Sequence, residues 1–96
     1  MKLINDIDIF FKRRFDKDLF DKYLLMSMKE WIKDKKTMYR DFEVNVMNDA
    51  LSNYFWDTHK VDVWADAHDL GDLYQFESFI TKKYEQAMRD FFNRHR

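Results

Sequence analysis

Thr37-Met38-Tyr39-Arg40-Asp41-Phe42-Glu43-Val44-Asn45-Val46-Met47-Asn48-Asp49-Ala50-Leu51-Ser52-Asn53-Tyr54-Phe55 is the stretch on which the fold turns. Two periods compete in it. Phe42, Val44 and Val46 alternate with Glu43 and Asn45, as they would in a half-buried strand. Tyr39, Phe42, Val46, Met47, Ala50, Leu51, Tyr54 and Phe55 recur instead at the three- and four-residue steps of one helix face. The helical register continues to Phe55 while the alternation dies out at Val46, so the segment is predicted to be a helix, with Thr37 as its cap.

The same spacing extends in both directions. Upstream, a first helix is expected from about Leu3 to Phe15, with Ile4, Ile7, Phe11 and Phe15 on one side. A second begins after Asp16 or Asp18, either of which can cap the exposed amides. It carries Leu19, Phe20, Tyr23, Leu24, Met28, Trp31 and Ile32 and closes at Lys33-Asp34-Lys35-Lys36. Downstream, a short helix is expected from Lys60 to Leu70, turning Val61, Trp64 and Ala67 or His68 inward and stopping at Gly71. The last begins at Asp72, where Gln75 completes a capping-box pattern, and runs towards Asn93. Its stripe is Leu73, Phe76, Phe79 or Ile80, Tyr84, Ala87, Met88, Phe91 and Phe92. The fold expected is all-α, a compact bundle of about five helices forming one domain over residues 1–96.

Composition supports this reading. With no Pro and one Gly, the chain lacks the punctuation of hairpins and phosphate-cradling loops. Ten Phe, five Tyr and three Trp supply large buried areas from few positions, which a domain of this length needs. The absence of Cys excludes disulfides, thiolate metal sites and a cysteine nucleophile, and favours a reducing, cytoplasmic setting. No apolar run approaches the roughly 18 residues of a membrane span, and the opening residues lack a signal-peptide pattern, so neither membrane insertion nor export is expected. Phe, Tyr, Lys, Asn, Ile and Met outweigh Gly, Pro and Ala, a bias that AT-rich coding produces and that fits a phage or low-GC bacterial source.

Charge is divided along the chain. Residues 1–40 carry a net +4, residues 41–80 a net −8 and residues 81–96 a net +3, although the total is only −1. Such polarity suits a protein partner or a second copy of the chain. No Gly-rich phosphate loop or Gly-x-Ser-x-Gly is present, Ser27 and Ser52 have no adjacent His, and so small a domain is expected to have little room for a pocket of about 300 Å³. The leading expectation is therefore a non-catalytic interaction module without cofactor, a regulator or inhibitor that binds a protein through an acidic surface. Tyr54, Trp56, Asp57, Asp62, Asp66 and Asp69 are its candidate contact residues, with Trp56 as anchor. The alternative is nucleic-acid binding by Lys12, Arg13, Arg14, Lys82 and Arg89 on the basic terminal helices. A more remote one is a metal-dependent hydrolase built on His59, His68 and Asp69, with Asp62, Asp66 and Asp72 nearby. One helix face rarely surrounds an ion, and a solvated acidic face is the plainer account, so no metal is assigned.

From Met28 to Tyr84 a series of features resembles the YozE family of small bacterial and phage-borne domains. These are Glu30-Trp31-Ile32, Arg40-Asp41, Asn48-Asp49, Phe55, Asp62-Val63, and Phe76-Glu77 with Tyr84. The resemblance implies a sterile-alpha-motif-like bundle of four or five helices. It implies no established activity and carries over no catalytic residue.

Overall fold

Asp16 sets where the first long helix begins. Its backbone is extended (φ −81°, ψ 97°) and its carboxylate accepts the Leu19 N–H at 3.0 Å, satisfying one of the amides that a helix start leaves unpaired. The computed structural model describes residues 7–60 and 70–95, and all its regular elements there are helical. They are α1 (Ile7–Ile9), which runs on as a π-helical turn over Phe10–Arg14, then α2 (Lys17–Trp31), α3 (Tyr39–His59) and α4 (Leu70–His95). Four α-helices are thus present among the described residues, where about five were expected; the helix expected from Lys60 to Leu70 lies largely outside them.

The π turn changes which side of the first element is buried. Its i→i+5 closure, seen in the Phe15 N–H donating to the Phe10 carbonyl at 2.8 Å, brings Phe10 and Phe15 to the same side. Both are buried, whereas Phe11, expected on the inner stripe, is half-buried. α2 buries Phe20, Leu24, Ser27 and Met28, and the Ser27 hydroxyl donates to the Val46 carbonyl at 2.9 Å across the interface with α3. The Trp31 indole N–H likewise donates to Asp49 at 2.6 Å.

α3 is the central element, and from Phe42 to Phe55 every residue of the expected stripe is buried, with Tyr39 half-buried at its start. Its cap, however, is Met38, which makes no side-chain cap bond. Thr37 is engaged in the preceding turn: its N–H donates to the Asp34 carbonyl at 3.2 Å, and its side chain, with the Lys36 N–H, bonds to the Asp34 carboxylate. Those bonds hold the Asp34 carboxyl below its ordinary pKa, the Lys36 amide being the larger cause. α3 ends at Lys60 in the left-handed conformation (φ 55°, ψ 38°), its N–H bonding back to the Phe55 and Trp56 carbonyls.

α4 is described from Leu70, and Gly71 and Asp72 are helical within it rather than acting as stop and cap. It runs antiparallel to α3: Phe76 meets Phe55 at 6.3 Å between ring centroids, and Phe92 meets Tyr39 at 5.6 Å. Phe76, Ile80, Met88, Phe91 and Phe92 are buried and Phe79 and Tyr84 half-buried, as the stripe required, but Ala87 is exposed. Phe10, Phe15, Phe20, Tyr54, Phe55 and Phe76 form one end of a single core that continues through Val46, Met47 and Leu51 to Phe42, Phe91 and Phe92 at the other. The Cα radius of gyration is 13.3 Å, close to the roughly 13 Å of a compact chain of about 100 residues. Among the described residues no helix is long and apolar enough to cross a membrane.

Candidate functional site

Tyr54 and Trp56 stand two positions apart on α3, about 200° around the helix, and the fold separates them completely. Tyr54 is 1% exposed and Trp56 is 54% exposed. The Tyr54 ring packs on Phe15 at 4.5 Å and Phe55 at 5.3 Å, and its hydroxyl accepts the Asp16 N–H at 2.8 Å. Burial raises its pKa. Tyr54 is therefore a core residue that fixes the start of α2, and the expectation that it contacts a partner is corrected. Trp56 keeps the exposure an anchor requires.

Beside it, Asp57 is exposed and accepts a hydrogen bond from the Tyr23 hydroxyl, which ties the end of α3 to α2 and raises the tyrosine's pKa. Asp62, Asp66 and Asp69, the rest of the expected acidic surface, lie outside the described residues, as does His68. Among the described residues no three His, Cys, Asp or Glu side chains group to hold a metal ion. An open cleft of about 330 Å³ is lined by Asn48, Asp49, Ser52 and Tyr74, more room than the size of the chain led us to expect. Among the described residues its lining offers an amide, a hydroxyl, a phenol and a carboxylate already bonded to Trp31.

The basic residues divide differently from their order in the sequence. Lys12, Arg13 and Arg14 are exposed on the π turn, which packs against the middle of α4 through an edge-to-face contact of Phe11 with Phe79 at 5.4 Å. Lys82 is exposed on that part of α4. Arg89 is set apart: its guanidinium bonds to Glu85 at 3.2 Å and lies 4.4 Å from the Tyr39 ring centroid, so its charge is neutralised locally. Two lysines that the sequence did not single out take its place. The Lys17 ammonium lies 4.6 Å from the Phe11 centroid, and that of Lys83 lies 5.8 Å from Phe11 and 5.2 Å from Phe79. Lys83 follows Phe79 by one helical turn, a spacing that could have marked it. Arg14 extends the cluster, 5.7 Å from the Phe10 centroid.

Comparison of the chain with protein-family models, with curated proteins and with solved structures finds no match.

Proposed function

We propose that this protein is a non-catalytic interaction module, a regulator or inhibitor that docks on a partner protein with Trp56 as its anchor. One observation carries the reading: an indole more than half exposed, on a helix whose neighbouring Tyr54 and Phe55 are fully buried. A large aromatic left in water is the kind of residue from which interfaces draw most of their energy. Covering the remaining half of the side chain is worth about 3 kcal/mol, or roughly a hundredfold in affinity. Asp57, exposed beside Trp56, gives this end of α3 a negative sign that favours a basic partner, and the sequence that follows is rich in acids.

The test is a tagged pull-down from host lysate with wild type, Trp56→Ala and a triple charge reversal at Asp62, Asp66 and Asp69, each with and without nuclease. The reading expects a protein retained after nuclease treatment and lost with Trp56→Ala. Equal recovery by all three proteins refutes it, and loss on nuclease treatment transfers the case to nucleic acid.

A further inference from the structure

The structure assigns a second binding surface, independent of Trp56: we propose that the basic and aromatic cluster where the π turn meets α4 binds single-stranded nucleic acid. Its cations come from two separated parts of the chain: Lys12, Arg13 and Arg14 on the π turn with Lys17 at the start of α2, and Lys82 and Lys83 on α4. All six are exposed, and none forms an ion pair among the described residues. Of the nearby carboxylates, Asp16 caps α2 and Asp21 accepts a hydrogen bond from Tyr84, while Asp18 is exposed on the first turn of α2. Asp8 is the exposed acid that remains on the first element.

These exposed positive charges, of which Arg14, Lys17 and Lys83 lie over the rings of Phe10, Phe11 and Phe79, attract a polyanion, and the rings decide which kind. Phe11 and Phe79 are half-buried and meet edge-to-face, with the ammonium groups of Lys17 and Lys83 over their rings. Phosphates can draw those ammonium groups aside, leaving a ring on which an unpaired base stacks. This pairing of aromatic platform and cationic track is what sequence-tolerant single-strand binding uses. A duplex keeps its bases stacked on one another and gains nothing from the rings. The π turn, at five residues, is also too short to serve as a groove-reading helix.

The experiment is fluorescence anisotropy with a labelled oligothymidylate of about 15 nucleotides, a duplex of equal length, and phosphatidylcholine–phosphatidylserine vesicles read by co-sedimentation. Binding to the oligothymidylate should weaken about 50-fold or more as salt rises from about 50 to about 200 mM, the slope expected for four or more phosphates. Arg13→Glu/Lys83→Glu should weaken it at least tenfold, while the charge-matched Lys29→Glu/Lys36→Glu pair, away from the cluster, should change it less than twofold. Phe11→Leu, which keeps an apolar side chain, should weaken the single strand and leave any residual duplex binding unaltered. Equal loss in the two charge-reversed pairs overturns the proposal, as does tighter binding to the duplex or to vesicles. A salt-sensitive dimer with no oligonucleotide affinity also overturns it, showing that the surface receives the acidic part of a second copy. None of these outcomes depends on Trp56, so the two surfaces succeed or fail separately.

Discussion

Tyr54 and Trp56 permit a sharp test of the fold, because substitutions two residues apart should have opposite consequences. Tyr54→Phe keeps the ring among Phe15, Phe20 and Phe55 and removes only the oxygen that accepts the Asp16 N–H. That amide is partly buried, and leaving it unpaired costs about 1–2 kcal/mol. For a domain of this size each kcal/mol moves the melting temperature by about 4–8 °C, so a fall of about 5–15 °C is expected. Tyr54→Ala adds a cavity where the ring stood and should cost about 3–5 kcal/mol, a large share of a total stability of about 5–15 kcal/mol. Trp56→Ala removes a side chain that already faces water and should stay within about 0.5 kcal/mol of wild type. Thermal and urea unfolding followed by far-UV circular dichroism measures all three. A Trp56→Ala variant as destabilised as Tyr54→Ala would refute the placement of α3 and, with it, the argument that Trp56 is held in reserve for a partner.

Asp16→Ala should cost about 1 kcal/mol by removing the cap of α2, read as a lower urea midpoint with unchanged slope. Lys60→Gly should stabilise by about 1 kcal/mol, since glycine takes the left-handed conformation without the strain that a Cβ brings; a lower melting temperature would refute this account of the end of α3. Glu77 is half-buried, has an Oε2 without a hydrogen-bond partner among the described residues, and burial raises its pKa. Its native state therefore holds the proton more tightly than the unfolded chain does, and stability falls as pH rises from the ordinary value of 4.5 through the raised one. Glu77→Gln should flatten this part of the dependence above pH 4.5, compared by urea midpoints. Burial is the main cause raising the Tyr39 and Tyr84 pKa values, followed by Glu43 and Asp21 respectively, so both phenols ionise more readily once unfolded and stability is lost as pH climbs past 10. Their phenolate absorbance should appear together with loss of helix signal, and ionisation ahead of unfolding would contradict their burial.

The parts of the fold legible in the sequence are those where many residues voted for one register. α3 is the clearest case, because Phe42 to Phe55 repeat the helical step with no Gly or Pro to interrupt it. The misread points are those where one particular contact, local or distant, outweighed a pattern. Thr37 has the chemistry of a cap but is drawn back to Asp34, and the chain enters α3 through Met38 without one. Phe10 replaces Phe11 on the inner side because it packs on Phe55 and Phe76, contacts distant in sequence that favour the wider π turn over a continued α-helix. Tyr54 is different in kind. It already belonged to the apolar stripe of α3, so its burial was available from the same period that predicted the helix, and only Trp56 was free to serve as an anchor.

The charge division along the chain shows why candidate surfaces need the fold as well as the sequence. The net charges of +4 over residues 1–40 and +3 over residues 81–96 lie at opposite ends of the chain. Packing of the π turn against α4 joins part of each into one cluster, and it does so through Phe11 and Phe79 rather than through the charges themselves. Electrostatics alone would drive Lys83 away from Lys17, so the cost of holding both near one ring must be offset by apolar contact beneath them. Arg89 illustrates the converse. Carried on the same helix, it finds Glu85 one turn back and Tyr39 across the interface, and that local neutralisation removes it from any long-range field. A count of basic residues would have treated Arg89 and Lys83 alike, whereas the geometry makes one a structural brace and leaves the other exposed, without an ion pair among the described residues.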